Sequence, residues 1–364
     1  MRESLAYLCL GNTIWDGFVG PIYTGLKIYA PATKYPFLDV SKSAKIDADR
    51  IGGAQGLAVM DVNGDGRDDV YSVYLHDTTN PRNNKLFVQN EDQTFTEQAS
   101  TRGVGEAGIW GAAVWADVDA DGDLDLVQSN RNSAPRLYIN SGGNFSDQAS
   151  LRGIAATGRD TKAILPVDLE NDGDIDLVFI DGSAAHEVFV NRGTGIFDTA
   201  NKGTSAPVGS VQGAVAADVT GDGYVDIFMT RRDNACALFV NQRNGPFRDE
   251  ASSRGVAYVG KSNHPSLADI DNDGDLDLLI GMRGSTADKS PVSRVLINNG
   301  SGTFSDASDA AGIKIDTYGL YPADLDNDGY LDLYGLRFDR EMDIAPTSRI
   351  FLNRQDRTFS ELTG

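Results

Sequence analysis

Apolar and polar positions in this chain alternate in short bursts. AAVWADV, LDLVQ, GAVAADV, VDIFMT and ALFVN are each five to seven residues long, rich in β-branched and aromatic side chains, and bounded by Asp, Asn and Gly. Runs of that length between turn residues predict strands closed by tight turns rather than helices.

The turn that closes many of these strand pairs recurs. A nine-residue pattern, Asp-x-[Asp/Glu/Asn/Thr]-x-Asp-Gly-x-x-Asp, starts at Asp61, Asp117, Asp168, Asp218, Asp269 and Asp324, at a spacing of roughly fifty residues. A hard cation such as Ca²⁺ takes six to eight oxygens, and side chains at positions one, three, five and nine, with a backbone carbonyl near seven, can surround one centre. The expected ligand sets are Asp61, Asn63, Asp65, Arg67 and Asp69; Asp117, Asp119, Asp121, Asp123 and Asp125; Asp168, Glu170, Asp172, Asp174 and Asp176; Asp218, Thr220, Asp222, Tyr224 and Asp226; Asp269, Asp271, Asp273, Asp275 and Asp277; and Asp324, Asp326, Asp328, Tyr330 and Asp332. The seventh-position residue contributes its carbonyl in each set. An EF-hand begins in the same way, but it needs flanking helices and a glutamate at position twelve. Here position twelve is Ser72, Gln128, Phe179, Met229, Ile280 or Gly335.

A second signature runs in phase with the first: an apolar strand ending in Asn, a Gly- or Asn-rich turn, then Phe and a polar strand, as in RLYINSGGNFSDQAS and VLINNGSGTFSDAS. Its anchors are Phe37, Phe95, Phe145, Phe197, Phe247, Phe304 and Phe359. Each unit then reads as four strands, one entering the Asp loop, one leaving it, a third ending in Asn and an outer one after Phe. Four-stranded units of this length build propeller blades.

With both motifs in place the chain resembles the FG-GAP/VCBS family, whose repeats occur in integrin α-subunit heads and in fungal and bacterial lectins. The resemblance covers residues 37 to 364. It implies an all-β, seven-bladed β-propeller with Ca²⁺ loops between strands one and two on one face and ligand binding on the opposite face, six blades being the alternative. The expected organisation is one domain over residues 1–364. Six repeats fill 37–358, and residues 1–36 with 359–364 form a composite closing blade, since LAYLCL and LKIYAPATKYPF read as strands without an Asp loop.

Composition sharpens this picture. The formal net charge is -21, concentrated in the Asp loops, and six divalent ions would offset about half of it. Folding and metal binding should therefore be coupled. Nucleic acid is excluded as a partner, because its phosphates need a basic face. Cys9 and Cys236 belong to no metal pattern, and a buried thiol is the expectation for Cys236 in ACALFV. No apolar run has the length of a membrane span, and LAYLCL is too short and too poorly flanked for a signal peptide. Loops with so many Ca²⁺ ligands fill outside a cell, so a secreted or surface location is expected.

Candidate ligand chemistry sits in the remaining loops. The two-to-three loops carry Arg82, Arg131, Arg231, Arg283 and Arg337, and the entering loops add Trp110, Arg159, Lys162, Lys261, His264, Tyr318 and Tyr321. Arg forks match carboxylate and sulfate, and flat rings stack on sugars, so the expected partner is a glycan or an extracellular protein. Related propellers include enzymes acting on uronic-acid glycans. For a lyase or glycosidase the candidate catalytic residues are His76 and His264 with Tyr318. There is no GxSxG, HExxH or P-loop pattern to support other hydrolase or kinase chemistry. A purely structural role in a surface assembly is the third reading.

Overall fold

The chain runs as a succession of small antiparallel sheets. The structure, a computed structural model, describes residues 8–10, 27–30, 38–39, 42–46, 54–74, 83–108, 110–130, 133–154, 160–182, 185–200, 202, 210–243, 245–283, 293–336 and 348–362. The first sheet has three strands, β1 (Leu8–Leu10), β2 (Lys27–Ala30) and β3 (Leu38–Asp39). Six four-stranded units follow: β4 (Ala54–Met60), β5 (Asp69–Tyr74), β6 (Lys85–Gln89) and β7 (Phe95–Glu97); β8 (Trp110–Ala116), β9 (Asp125–Asn130), β10 (Arg136–Ser141) and β11 (Asn144–Asp147); β12 (Thr161–Val167), β13 (Asp176–Asp181), β14 (Glu187–Asn191) and β15 (Phe197–Ala200); β16 (Val211–Ala217), β17 (Asp226–Ala235), β18 (Ala237–Val240) and β19 (Arg248–Asp249); β20 (Val259–Ala268), β21 (Asp277–Arg283), β22 (Arg294–Asn298) and β23 (Phe304–Asp306); β24 (Gly319–Ala323), β25 (Asp332–Leu336), β26 (Arg349–Asn353) and β27 (Phe359–Glu361).

Within each unit every strand pairs with the next in sequence, and the first strands neighbour one another in order from β4 to β24. These are the blades of a β-propeller. Each begins at the strand entering the Asp loop and ends on the strand after Phe. β27 accordingly pairs with β26 as the outer strand of the sixth four-stranded blade. The expectation that 359–364 shares a blade with the N-terminal segment placed this strand elsewhere.

The core lies between blades. Leu177 and Phe179 of β13 pack against Val127, Leu137 and Ile139 of the preceding blade, while Val178 and Ile180, on the other face, meet Ile227 and Met229 of the next. A strand buried on both faces needs apolar residues at every position, which explains the continuous runs VDIFMT and LDLLIGM. Leu86 and Val88 belong to such an inter-blade cluster.

The anchoring phenylalanines are explained by their backbones as well as their rings. The amides of Phe197, Phe304 and Phe359 donate to the carbonyls of Arg152 (2.8 Å), Arg254 (2.9 Å) and Ala311 (2.9 Å), in the turn that closes the preceding blade. Gly153 and Gly255 occupy those turns at φ 87 and 80, and a Cβ there would collide with the carbonyls of Phe197 and Phe304. Only glycine meets both demands. Phe95 makes the same bond to the carbonyl of Ala44 (2.8 Å), just after β3. One short helix, α1 (Ala99–Arg102), forms the closing turn after β7.

The fourth and fifth four-stranded blades are joined. β17 continues past its blade, and Arg232, Asn234 and Ala235 pair with Lys261, Gly260 and Val259 of β20. Among the described residues no other pair of blades shares a ladder in this way.

Candidate metal loops and the opposite face

All six Asp loops fold alike. The position-one carboxylate collects the amides of its own loop: Asp61 accepts from Gly64 (2.8 Å), Asp65 (3.1 Å) and Gly66 (2.6 Å), and the amide pair at positions five and six recurs at Asp117, Asp168, Asp218, Asp269 and Asp324. The position-five carboxylate then accepts from the position-seven amide, 3.0 Å at Asp65 and 2.9 Å at Asp121. This winding requires left-handed backbone at positions four and six. Position six is always glycine, with φ from 80 at Gly66 to 96 at Gly274, whereas position four, with φ from 58 at Asn272 to 74 at Gly64, also tolerates Ala120, Asn171 and Asn327 because it sits in the left-handed helical region itself.

Position nine has a different duty. Asp125 is fully buried, and its two oxygens accept from the amides of Val118 (3.1 Å), at loop position two, and Asn140 (2.8 Å), at the end of the third strand. Asp69, Asp176, Asp226, Asp277 and Asp332 repeat the same two bonds. Each carboxylate clips the first hairpin to the third strand. Burial pushes these acids up, to about 6 at Asp69, Asp176 and Asp226 and to about 7 at Asp125 and Asp277, against the opposing pull of the two amides.

The strand-ending asparagines complete a lock between blades. Asn140 donates its Nδ2 to the carbonyl of Val62 in the previous blade (3.1 Å) and to Leu124 in its own (3.0 Å). Asn191 reaches Val118 (2.7 Å), Asn241 Leu169 (3.0 Å), Asn298 Val219 (2.9 Å) and Asn353 Ile270 (2.9 Å). The sequence marks these residues only as the end of a strand; their partner carbonyls lie 72 to 83 residues away.

Position three decides how the loops differ. Asp119 is bridged by Arg152 (2.8 Å), Glu170 by Lys202 and Asp271 by Arg357 (2.7 Å), while Thr220 hydrogen-bonds Asp218 within its loop. In the first loop Arg67 pairs with Asp65 and donates to the carbonyl of Gln89 (3.1 Å). Carboxylate oxygens converge within 4.8 Å in three loops, at Asp117, Asp119 and Asp125, at Asp269, Asp271 and Asp273, and at Asp324, Asp326 and Asp332. Where about six sites are expected, these three carboxylate clusters are the ones among the described residues that could hold a divalent cation. The Asp271 side chain makes the fit concrete: it is 1% exposed, and neither of its oxygens accepts a hydrogen bond. The Arg357 guanidinium, itself 57% exposed, offsets part of the cost of burying this carboxylate beside Asp269 and Asp273, and a divalent cation would offset more.

At the other end of the blades the residues singled out from sequence scatter. His76, Arg82, Arg131, Arg159 and Arg337 lie outside the described residues, as does the side chain of Trp110, whose backbone opens β8. Arg231 is buried, with Nη1 donating to the carbonyl of Ala235 (3.2 Å). Tyr318 is also buried rather than presented as a platform, and the Arg283 guanidinium covers its ring at 5.1 Å, with Nη1 3.4 Å from its hydroxyl.

His264 and Tyr321 lie within first strands, not loops. Tyr321 is 37% exposed, yet burial pushes its phenol to about 12; half-buried His264 is held below its usual range by burial and by the charge of Lys162. Cys236 is buried, as expected, with Sγ 3.5 Å from Ser262 Oγ.

Similarity to known proteins follows the repeats. Among solved structures the chain is similar to a lectin from Agrocybe aegerita that recognises non-reducing terminal N-acetylglucosamine, with 19% identity and a TM-score of 0.62 over 92% of this chain and 86% of that one. It is also similar to the BP39L lectin of Burkholderia pseudomallei, with 13% identity and a TM-score of 0.52 over 82% and 80%. At these identities the likeness is one of fold. Cartilage acidic protein 1 from Xenopus tropicalis and from Homo sapiens each match at 26% identity over 206 residues, 53% of this chain. The chain spans about a third of those relatives, 31% and 30%. The FG-GAP-like repeat model matches residues 61–128, 117–179, 168–229, 218–280 and 285–335, most of these stretches opening on an Asp loop and ending in the second strand of the next blade. The chain belongs to the FG-GAP-like repeat family.

Proposed function

We propose that this protein is a calcium-stabilised propeller module of lectin-like or adhesion type, acting outside the cell, which recognises a glycan or an extracellular protein on the face opposite the Asp loops. The observation that carries this reading is the division of labour between the two ends. The Asp loops spend nearly every polar group on their own amides, on the next strand or on a neighbouring blade, and they leave buried carboxylates such as Asp271 facing inward. That is the chemistry of a brace, with oxygens set for Ca²⁺ and little room for a substrate. The sequence assigns cations and aromatic residues of several repeats to the loops of the other end, in a chain of net charge -21, and support for that end rests on the sequence.

The N-terminal sheet fits a seventh blade, since the turn after β3 receives the Phe95 amide as other closing turns receive theirs. The lectin neighbours and the cartilage acidic protein relatives agree with an extracellular binding role, and no helix among the described residues is long and apolar enough to cross a membrane.

The test is a glycan-array scan of the Ca²⁺-loaded protein. Acidic polymers are followed in parallel by the ultraviolet absorbance of unsaturated uronate. Saturable binding without product supports the module. Rising absorbance would replace it with a lyase. Silence on every glycan, with capture of extracellular protein, would shift recognition to a protein ligand.

A further inference from the structure

The hairpin between the third and fourth strands of a blade ends in a tip that rests on position three of the preceding blade's Asp loop. Gly143, Gly195 and Gly302, each two residues before an anchoring Phe, hold the tip at φ 83, 68 and 72. A Cβ there would meet Asn63, Asp119 or Thr220 on one side and the guanidinium of Arg102, Arg152 or Arg254 on another. These arginines stand in the closing turn of the preceding blade, where the carbonyls of Arg152 and Arg254 receive the amides of Phe197 and Phe304. A glycine tip and a closing-turn arginine go together, because the one leaves the space that the other fills.

At the junction of the fifth and sixth four-stranded blades the two exchange places. The closing-turn residue, whose carbonyl receives the Phe359 amide, is Ala311, and the tip residue two before Phe359 is Arg357. Arg357 keeps the left-handed backbone of the tip, at φ 67, although side-chain-bearing residues rarely adopt it. Its side chain reaches position three from the tip rather than from the turn: Nε lies 2.7 Å from Asp271 Oδ2, and Nη2 lies 3.6 Å from Asp273 Oδ2. Asp271 and Asp273 are two of the three carboxylates that converge in the fifth loop.

The exchange changes what holds the junction cation. Arg152 is 13% exposed and donates to the carbonyls of Thr194 (3.1 Å) and Gly195 (3.3 Å) as well as to Asp119, so the next blade fixes it in place. Arg357 is 57% exposed, and among the described residues its ion pairs are to the fifth loop alone. Water can take back so exposed a guanidinium at small cost, since a solvated ion pair contributes little. Its partner Asp271 is buried, and Oδ1 of that carboxylate accepts no hydrogen bond. A divalent cation drawn to Asp271 and Asp273 therefore meets a resident positive charge on the same carboxylates, and Coulomb repulsion opposes its binding until the arginine leaves.

We propose that Arg357 is a tethered counter-ion that competes with a divalent cation for Asp271 and Asp273 and thereby sets the Ca²⁺ affinity of the fifth loop. The proposal rests on the calcium reading above and concerns one loop of it.

The experiment is calorimetric titration of Ca²⁺ into the chelator-stripped full chain, held below its melting temperature in chelator. The fifth-loop site is identified as the binding heat that Asp271→Ala removes. Arg357→Gly, which restores the residue of the other tips, should tighten that site at least about tenfold, the equivalent of about 1.4 kcal/mol. Arg357→Gln should tighten it in the same direction, while Arg357→Lys, which keeps the charge, stays within about threefold of the native chain. Binding at the remaining loops should not change, and cooperative melting of each variant shows that it is folded. A fifth-loop site that is unchanged or weaker in both Arg357→Gly and Arg357→Gln would make Arg357 a brace and overturn the competition while keeping the calcium reading. Ca²⁺ binding that Asp271→Ala leaves intact places the cation in other loops and also overturns the competition alone. Absence of any Ca²⁺ uptake by the native chain overturns both.

Discussion

At one end of each four-stranded blade the same nine-residue loop closes with the same hydrogen bonds six times, from Asp61 to Asp332. At the other end the described connections differ: β17 runs into its neighbour, and Arg283 folds onto Tyr318. Repetition at the first end follows from what the loop must satisfy, its own amides, a buried acid and the neighbouring blade. The second end has no such common demand, so its residues are free to diverge toward a ligand. Within the repeated end, positions one, five and six are uniform, whereas position three ranges over Asn63, Asp119, Glu170, Thr220, Asp271 and Asp326. The loops therefore share a fold without sharing a set of candidate cation ligands.

The contrast between the ends breaks most visibly on chelation. Removing Ca²⁺ should lower the melting temperature on the order of 10 °C, because each filled site adds roughly 2 to 3 kcal/mol at a hundredfold excess over its dissociation constant. Scanning calorimetry with and without chelator measures this, and an unchanged curve would sink the metal assignment. Asp125→Ala should cost about 3 to 5 kcal/mol in denaturant unfolding, with or without Ca²⁺. It strands the amides of Val118 and Asn140 in the core. Asn191→Ala removes the bonds its Nδ2 donates to Val118 and Ile175 and those its Oδ1 accepts from the Gly193 and Gly195 amides, and should cost about 2 kcal/mol by the same measurement.

Asp271→Asn separates a brace from a ligand. It should lower the melting temperature in Ca²⁺ by an amount equivalent to about 1 to 2 kcal/mol and change it little in chelator, since relief of a carboxyl pushed up by burial is offset by loss of the Arg357 ion pair. A drop of equal size in both conditions would assign Asp271 to structure alone. The smallest effect lies at the end away from the Asp loops. Burial pushes His186, whose Nδ1 accepts from the Asp181 amide (3.1 Å), down to about 4. Its folded value is below the unfolded 6.5, so its contribution to stability is complete above pH 6.5 and is lost as pH falls toward 4. Its imidazole signals in NMR should stay those of the neutral ring down to about pH 5.

Much of the fold was legible because its signals are local. Gly at position six, the strand–Asn–turn–Phe phrase and the apolar runs each report on a turn or a pleat a few residues long. The candidate loops were legible for the same reason. Their inequality was not, because the residues that set it, Arg152 beside Asp119 and Arg357 beside Asp271, arrive from segments 33 or more positions away. Position nine shows a further limit: the same aspartate letter stands for a candidate cation ligand and for a backbone clip, and only the burial of Asp125 and its bonds from the Val118 and Asn140 amides reveal the clip. On the opposite face, Tyr318 read as an exposed platform because a loop aromatic gives no hint that an arginine will cover it. The β17–β20 ladder was invisible, since RRDNA has the look of a loop.

The asparagine bonds run one way around the molecule. Asn140 reaches back to Val62, Asn191 to Val118, Asn241 to Leu169, Asn298 to Val219 and Asn353 to Ile270, always from a later blade to an earlier one. During synthesis a blade therefore leaves the ribosome with one carbonyl waiting, and the next blade to emerge supplies the amide that closes it. Growth adds blades in the direction in which they lock, so a nascent chain of these repeats can consolidate behind itself before its last residue is made.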